Sequence, residues 1–399
     1  MRIAVFMTGI DYGGASKSLQ LMLRSLRKFT NLEFYIFTQF TKAQEITAEI
    51  VEHSKLLKIV SFPMLMCNQA YQSKKKEYDS IVNGNYNSLT RLISDYKIDI
   101  IHINSTTLCY LNRHFKSEFP NVKIVSHLRE VIQSPGKYKC GVYLTEQIRK
   151  YSDHIISISE NEISSFGKIR NCSIIYNPHD FEELESLNLP ERKTENETFR
   201  IGMMGAFNAS KGHLNFLKAI TRVKKETDKK ILGVILGVRI RKNPLKKNLG
   251  YILNHGFGDD YYTKLDKFIT KSKIRENVEL LGPGYFINQF LNELDIYVRP
   301  SDSGDPWGRD IIEAMALKKP IVATGKSETY IQNGKTGYLV PERNSKKMAV
   351  KILELIENET VRTRFGEEGF LKVKSMCDVK NYGGKIYKIY SDLMESKPN

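Results

Sequence analysis

Several features that identify common protein classes are missing from this sequence of 399 residues. Its five cysteines form no CxxC pair and show no paired spacing, which argues against a disulfide framework and against a zinc site. Free cysteines favour a reducing, cytoplasmic compartment. The eight histidines form no HxxxH or HExxH pattern, so we expect no protein-bound metal.

Long apolar runs are also absent. No segment approaches the 18 or so apolar residues that a membrane span requires. The stretch IAVFMTGI after Arg2 is too short for a signal peptide and predicts a first strand instead. Aromatic RNP strands and C₂H₂ spacing are missing as well, so we expect no nucleic-acid partner.

The net charge of +16 is the most prominent feature of the composition. Much of the excess lies in KKETDKKILGVILGVRIRKNPLKK, residues 224–247. This stretch fits a solvated basic face, or a surface for anionic lipid or an anionic acceptor. Nucleic acid is the weakest of the three interpretations. A peripheral contact with an anionic membrane, at the inner face of the cell membrane, therefore stays open.

Short apolar strands alternate with amphipathic segments from the first residue. In the first half the pattern predicts strands at 3–7, 33–37, 98–103, 123–128, 153–158 and 173–177. In the second half it predicts strands at 200–206, 230–238, 277–282, 295–301, 319–324 and 336–340. This βαβ alternation is typical of doubly wound parallel sheets.

The two halves are separated by a polar segment with two prolines and no periodicity. We predict a first domain over 1–178, a linker over 179–198 and a second domain over 199–378. A terminal helix over 379–399 is expected to pack back on the first domain. The fold class is therefore α/β, with two Rossmann-like domains facing a central cleft.

A glycine-rich loop, TGIDYGGA, follows the first predicted strand. Its glycines do not have the GxGxxG spacing, and no acidic residue ends the second strand, so the loop disfavours a dinucleotide cofactor. Gly13 and Gly14 before a helix could still let the backbone approach an anion. A tight strand-to-helix turn is the alternative explanation.

The segment GDPWGRDIIEAMALKKPIVAT contains two carboxylates that need an explanation. Glu313 lies in an otherwise apolar helical run, where a buried carboxylate without a partner costs several kcal/mol. Asp305 precedes Pro306 and could simply cap the helix, because proline is favoured at the first helical position. The spacing alone does not decide between a structural and a functional role.

Residues 200–341 contain RIGMMGAFNASKG, NVELLGPG, an acidic-to-glutamate motif from Asp305 to Glu313 with its AMA sequence, and NGKTGYLVP. Together these motifs resemble the nucleotide-sugar domain of retaining GT-B glycosyltransferases, specifically glycosyltransferase family 4. In the first half the likeness rests on the glycine loop and on SHLRE around His127. The resemblance extends over nearly the whole chain.

The resemblance implies a role for several residues. Glu313 would accept hydrogen bonds from the donor ribose, and Asp305 would face the transferred sugar with backbone amides of 306–309, which include Gly308. Lys211 would neutralise the diphosphate, and His127 would lie near the sugar. Main chain around Gly282 and Tyr285 would hold the base. Gly13 and Gly14 would belong to the diphosphate site.

The sequence departs from the family pattern in two places. Asp305 stands where glutamate is usual, and Ala206 stands where an arginine commonly contacts the diphosphate. Arg309 is the substitute that we predict for that arginine. Arg239 and Arg241 are the less favoured ones.

The resemblance implies a retaining glycosyltransferase that moves a sugar from a nucleoside diphosphate donor to a glycan or lipid-linked acceptor, as in bacterial surface polysaccharide synthesis. It implies no cofactor beyond the donor, with His127, Lys211, Asp305 and Arg309 in the catalytic site. Two alternatives stay open. One is a nucleotide-sugar epimerase on the same fold, and the other is a non-catalytic nucleotide-sugar or glycan binder.

Overall fold

A computed structural model gives the structure of the chain. It describes residues 1–62, 81, 84, 86–132, 139–167, 169–190, 198–237, 261–282 and 286–396. The chain divides into two compact units. The first comprises residues 1–180 and 377–399, and the second comprises residues 181–376.

The first unit is built on a parallel sheet whose strands are short and apolar, and its five central strands are almost entirely buried. Its described strands are β1 (Arg2–Met7), β2 (Glu33–Thr38), β3 (Leu56–Ile59), β4 (Ile100–Ile103), β5 (Lys123–Leu128), β6 (His154–Ser157) and β7 (Cys172–Ile174). They lie in the order β3-β2-β1-β4-β5-β6-β7. Alternate residues point to opposite faces, so Ala4 and Phe6 enter one core and Ile3 and Val5 enter another.

Helices connect these strands and cover both faces of the sheet, as parallel strands require. They are α1 (Gly14–Leu26), α2 (Gln44–Glu52), α3 (Asn87–Asp95), α4 (Asn112–Glu118), α5 (Lys139–Tyr151) and α6 (Glu160–Ile163). Short 3₁₀ helices lie at Thr106–Leu111 and Ser164–Phe166.

The second unit repeats this architecture with its own sheet and core. Its described strands are β8 (Phe199–Met204), β9 (Ile231–Leu236), β10 (Val278–Leu281), β11 (Ile296–Arg299), β12 (Ile321–Thr324) and β13 (Gly337–Val340). All pair in parallel, in the order β10-β9-β8-β11-β12-β13. The helices are α7 (Phe181–Ser186), α8 (His213–Glu226), α9 (Tyr261–Lys271), α10 (Ile287–Asn292), α11 (Arg309–Ala316), α12 (Ser345–Glu357) and α13 (Glu359–Cys377).

The last helix, α14 (Val379–Glu395), belongs to the first unit. Asp378 caps it by accepting a hydrogen bond from the Lys380 N–H. The buried face of α14 carries Tyr382, Ile386 and Tyr390, which join the core that contains Ile3 and Val5. The helix therefore closes one face of the first sheet.

Each sheet has one point where the strand order reverses. It lies between β1 and β4 in the first unit and between β8 and β11 in the second. In open parallel sheets, ligands bind at such a point, outside the carboxyl ends of the strands. The loops after β8 and β11 are therefore the first place to look for a site in the second unit.

The structure confirms the predicted α/β class with parallel sheets, and every predicted strand is present. The sequence analysis missed β3, a four-residue strand at the sheet edge whose Ile59 is exposed. The predicted linker over 179–198 was expected to lack periodicity, but α7 lies within it and buries Phe181. No helix in the described ranges is long and apolar enough to cross a membrane.

Candidate active site

Two loops of the second unit meet at the carboxyl edge of its sheet. The loop after β8 runs from Gly205 to Gly212, and the loop after β11 runs from Pro300 to Gly308. The Asp302 N–H donates to the Ser210 carbonyl at 2.9 Å, which ties one loop to the other. Residues of both loops are thereby held at the point where the strand order reverses.

Gly212 makes this close approach possible. Its φ is +76°, a left-handed conformation that glycine adopts without strain. A Cβ atom at this position would come within 1.7 Å of the Pro300 carbonyl oxygen. A side chain here would therefore force the two loops apart.

A buried guanidinium organises the loop after β11. Arg299, the last residue of β11, donates from Nε to the Asp305 carbonyl oxygen at 2.7 Å. Its Nη2 lies 3.1 Å from Asp305 Oδ2, and its Nη1 lies 2.5 Å from Asp310 Oδ1. Tyr297 donates its hydroxyl to the other oxygen of Asp310 at 2.8 Å. The Arg299 side chain is only 12% exposed, so this network is shielded from water.

The Asp305 carboxylate is surrounded by donors. Ser303 donates to Oδ1 at 2.6 Å, and Ser301 donates to the same oxygen. Burial alone would raise the pKa of Asp305, but Arg299, the two serine hydroxyls and Lys211 together hold it below its ordinary value. Burial also disfavours the charged form of Arg299 and alone would lower its pKa, but the carboxylates of Asp310 and Asp305 raise it. Both groups are therefore charged at neutral pH.

Helix α11 begins at Arg309, directly after Gly308, whose φ is +152°. A Cβ at Gly308 would come within 2.5 Å of Asp310 Oδ1 and 2.9 Å of Arg299 Nη1. The absence of a side chain therefore lets the start of the helix lie against the Arg299–Asp310 pair. Gly308, which was predicted to bind the sugar donor, therefore has a packing role.

The partner of Glu313 is a residue of its own helix. Arg309 Nε lies 2.9 Å from Glu313 Oε1, one helical turn away, and the two side chains are 10% and 11% exposed. This ion pair explains how the carboxylate is tolerated in an apolar run. Arg309 thus pairs with a neighbouring carboxylate, Glu313, while Asp310 pairs with Arg299 and Asp302 pairs with Arg343.

The helix-capping explanation of Asp305 is wrong. Gly308, not Asp305, occupies the N-cap of α11, and the Asp305 side chain is turned to Arg299 and the serines. Arg299 was not predicted as a site residue. Its signal in the sequence is a charged residue at the end of a buried strand, directly before a proline.

Lys211 lies at the end of a 3₁₀ turn, Ala209–Lys211, and α8 begins two residues later at His213. Its charge lowers the pKa of Asp305, which places the ammonium within electrostatic range of that carboxylate. Lys211 forms no ion pair with any other described residue. The structure thus brings Lys211, Asp305, Gly308, Arg309 and Glu313 to one edge of the second unit.

The glycine loop lies at the corresponding edge of the first unit. The Gly13 N–H donates to Asp11 Oδ1 at 2.8 Å, and Ser16 donates to the same oxygen at 3.2 Å. Gly13 is the N-cap of α1, and Gly14 is its first residue. The Gly13 N–H is therefore already occupied by a carboxylate of the same loop, and an anion that used this N–H would have to displace Asp11.

His127 is fully buried in β5, one residue before the carboxyl end of that strand. Its Nδ1 lies 3.1 Å from Nε2 of His102 on β4. The next polar residues are Arg129 and Glu130, which sequence reasoning left unassigned. Arg129 donates to Asn104 at 2.8 Å, so the ends of β4 and β5 are joined by polar contacts.

Glu130 links the segments that follow β4 and β5 at the carboxyl edge of the first sheet. Its Oε2 accepts from the Thr106 N–H at 2.8 Å, at the start of a 3₁₀ helix. Burial raises the pKa of Glu130, although Thr106, Ser105 and Arg129 oppose that effect. Such polar residues directly after two neighbouring strands are the signal that could have found this cluster.

Some predicted residues remain to be placed. Gly282 follows β10, whereas Tyr285, Arg239 and Arg241 lie outside the described residues. In the part of the chain that the structure describes, no group of three or more His, Cys, Asp or Glu could hold a metal ion. The four described cysteines are free.

Comparison with known proteins identifies the second unit. Residues 187–372 match the family model described as "Glycosyl transferases group 1". An uncharacterised glycosyltransferase of Methanocaldococcus jannaschii is 26% identical over 62% of this chain and 60% of that protein. The capsular polysaccharide biosynthesis glycosyltransferase CapM of Staphylococcus aureus is 27% identical over 64% of this chain and 66% of CapM. The chain thus spans slightly less than two thirds of these curated relatives.

Solved structures share the fold over the full length of the chain. HepE of Anabaena, in complex with UDP, superposes with a TM-score of 0.73 at 16% identity and covers 98% of this chain and 100% of HepE. A glycosyltransferase of Rickettsia africae gives 0.73 at 17% identity over 99% of both chains. Residues 187–372 therefore match the group 1 glycosyltransferases, and the fold of the chain is GT-B.

Proposed function

We propose that this protein transfers a sugar from a nucleoside diphosphate sugar to a glycan or lipid-linked acceptor, with retention of the anomeric configuration and without a protein-bound metal. The observation that carries the proposal is the set of charges at the carboxyl edge of the second sheet. Asp305, Arg309 and Glu313 lie there on a family-matching domain, with Lys211 on the neighbouring loop.

The donor nucleotide would use the buried Glu313. Its Oε1 is paired with Arg309, which holds the carboxylate in one position. Ribose hydroxyls are suitable donors to such a carboxylate, and hydrogen bonds to charged groups contribute about 1.5–3 kcal/mol each. Arg309 then acts by positioning Glu313, and a direct contact of Arg309 with the diphosphate stays a prediction.

The leaving diphosphate would be stabilised by Lys211. Negative charge develops on that group as the bond to the sugar breaks, and preorganised cations are usually the largest source of rate enhancement. Arg299 is neutralised by Asp305 and Asp310, and Arg309 is paired with Glu313. Lys211 has no competing ion pair with a described residue, so its charge is the most available of the three.

Asp305 would contact the sugar. It is held in place by Arg299, Ser301 and Ser303, so it is preorganised rather than mobile. Because its pKa is lowered, it stays ionised at neutral pH and accepts hydrogen bonds from sugar hydroxyls. A rigid acceptor of this kind orients the donor, which is the main contribution that a protein without a nucleophile can make.

Relatives support the substrate class. HepE was solved with UDP and with UDP-glucose, and CapM is described as acting in capsular polysaccharide biosynthesis. A further relative is a poly(ribitol-phosphate) alpha-N-acetylglucosaminyltransferase of Staphylococcus aureus. We therefore propose a UDP-sugar donor and a role in bacterial surface polysaccharide or glycoconjugate synthesis, in the cytoplasm or at the inner face of the membrane.

A thermal-shift panel of nucleoside diphosphates and nucleotide sugars tests donor binding. A ligand at about a hundred times its dissociation constant stabilises the folded state by about 2.7 kcal/mol. We expect UDP and at least one UDP-sugar to raise the melting temperature of the wild type and to have a smaller effect on Glu313→Gln. Glu367→Gln, which removes an exposed ion pair with Lys318, is the control and should respond like the wild type. No shift with any nucleotide would refute the proposal.

A further inference from the structure

A buried row of three hydrogen-bonding side chains crosses the first unit. It runs from Tyr390 on α14 to His102 on β4 and then to His127 on β5. All three residues are fully buried. The two strands are neighbours, and both histidines lie on the sheet face that α14 covers.

The distances define continuous contacts. The Tyr390 hydroxyl oxygen lies 2.7 Å from His102 Nδ1, and His102 Nε2 lies 3.1 Å from His127 Nδ1. The remaining nitrogen, His127 Nε2, is buried and has no hydrogen-bond partner among the residues that the structure describes. The row therefore ends on a buried polar atom that has no partner among the described residues.

The positions of the protons follow from the chemistry of the contact between Tyr390 and His102. The Tyr390 hydroxyl has His102 Nδ1 as its single partner within the described ranges. An imidazole nitrogen is a stronger acceptor than a phenol oxygen, and 2.7 Å is a typical length for a hydrogen bond donated by a hydroxyl, whereas N–H donors lie at about 2.9–3.0 Å from oxygen. Tyr390 therefore donates, and His102 Nδ1 accepts.

A neutral imidazole carries a proton on only one of its two nitrogens, so a ring that accepts a hydrogen bond at one nitrogen carries its proton on the other. With Nδ1 as acceptor, His102 carries its proton on Nε2 and donates it to His127 Nδ1. His127 then carries its own proton on Nε2. The tyrosine thus determines the tautomer of a histidine that it does not touch.

Both imidazoles are expected to be neutral. Burial, together with the nearby Arg129 cation, lowers the pKa of His102 to about 3 and that of His127 well below its usual range. The charged and titratable neighbours of the row are Arg129, Tyr382 and Glu130, which interact with it or with one another. In the part of the chain that the structure describes, no hydrogen bond or ion pair joins a carboxylate to either ring.

We propose that Tyr390 and His102 are positioning residues that hold His127 as the Nε2–H tautomer, so that His127 serves as a hydrogen-bond donor to a substrate oxygen and not as a base. The role of His127 as a donor to a substrate oxygen rests on the proposed function. The tautomer of His127 is a property of the ligand-free chain.

Nuclear magnetic resonance of the ligand-free full chain tests the tautomer directly. In a sample with ¹⁵N-labelled histidine, long-range ¹H–¹⁵N correlations distinguish the protonated from the unprotonated nitrogen, and His102→Gln and His127→Gln assign the signals. We expect protons on Nε2 of both histidines. A proton on Nδ1 of His127, or a doubly protonated ring near pH 7, would overturn the proposal. Because no substrate is present, this result is independent of any activity.

Variants test the positioning role. Tyr390→Phe removes the donor to His102 and should give a mixed His127 tautomer and a turnover of UDP-glucose lowered about fivefold to tenfold, with the KM for the donor little changed. Tyr387→Phe is the matched control on the same helix, because its hydroxyl makes only a surface hydrogen bond with Asn31. Equal losses in both tyrosine variants would show a purely structural effect and reject the positioning role.

Two variants of His102 test whether a donor to His127 Nδ1 is what maintains the His127 tautomer. The amide of His102→Gln can still donate to His127 Nδ1, whereas His102→Leu cannot. We expect the glutamine variant to keep the Nε2–H tautomer of His127 and most of the turnover, and the leucine variant to lose both. Loss of turnover in a glutamine variant that keeps the tautomer would contradict the donor role. If the wild type shows the predicted tautomer but no nucleotide sugar is turned over, the proposed function fails and the tautomer assignment stands.

Discussion

The Arg299 network gives the sharpest prediction for stability. Replacing Arg299 by methionine keeps most of the side-chain volume but removes the guanidinium from between Asp305 and Asp310. Both carboxylates stay largely buried, with side chains 29% and 14% exposed. Breaking a buried pair by removing one partner typically costs about 3–5 kcal/mol, because the other charge is left without compensation.

The structure indicates that the cost lies within this range rather than above it. Arg299 contributes three hydrogen bonds, one of them to a carbonyl oxygen. The carboxylates would keep their other donors, Tyr297 on Asp310 and Ser303 on Asp305. We therefore expect Arg299→Met to lower the free energy of unfolding of the second unit by about 3–5 kcal/mol at pH 7.

The pH dependence provides a second check. The lowered pKa of Asp305 means that its ionised form stabilises the wild type above the unfolded-state pKa, near 3.9, and that this contribution is lost as the pH falls through the lower folded-state pKa. Without Arg299, the pKa of Asp305 should rise, because burial disfavours the ionised form and the partner that opposes burial most is gone. The difference in free energy of unfolding between the wild type and Arg299→Met should thus be larger at pH 7 than near pH 4.

Trp307 makes the measurement specific. It is the only tryptophan of the chain and lies two residues after Asp305. Urea unfolding followed by its fluorescence therefore reports on the second unit. Asp310→Asn in the Arg299→Met background should recover part of the loss, since one stranded charge is removed. A loss below about 1 kcal/mol at pH 7, or a loss that does not change with pH, would refute the account of the network.

Further predictions concern the donor site and the membrane. Glu313→Gln should weaken UDP binding by about 1–3 kcal/mol in isothermal titration calorimetry, and unchanged affinity would exclude the ribose role. Lys211→Ala should lower turnover by a factor on the order of 10²–10³, with a smaller effect on the KM for the donor. Arg309→Ala should reduce turnover similarly if Arg309 also contacts the diphosphate, and Arg309→Lys should restore only part of it; near-normal turnover leaves Lys211 as the cation. Binding to anionic vesicles should be weak and lost at about 1 M salt, and persistence would mean a non-electrostatic attachment.

Much of the fold was predictable because parallel strands buried on both faces appear as short apolar runs. The edge strand β3 was missed because it is only four residues long and half of it is exposed. Helix α13 was not recognised because Gly366 and Gly369 interrupt its sequence, although it continues through 19 residues. Tertiary packing stabilises that helix where propensity does not.

The site was predictable only in part. The spacing of Asp305 and Glu313 singled out one loop and one helix, and the structure places Arg309 at the start of that helix. The buried network of Arg299 with Asp305 and Asp310 was not predicted, because its contacts depend on how the loop after β11 turns back on the strand. Nor could sequence show that Tyr390, 288 positions from His102, would contact that histidine.

The central claim is that the chain turns over a nucleotide sugar, and one measurement tests it most directly. Purified full-length protein is incubated with a panel of nucleotide sugars, and nucleoside diphosphate release and the first-formed sugar anomer are followed by ¹H nuclear magnetic resonance. The account predicts that at least one UDP-sugar is consumed, that the anomeric configuration is retained, and that Lys211→Ala slows the reaction by a factor on the order of 10²–10³. Inversion would contradict the proposed stereochemistry, and binding without consumption of any donor, with acceptor glycans present, would identify a non-catalytic binder instead.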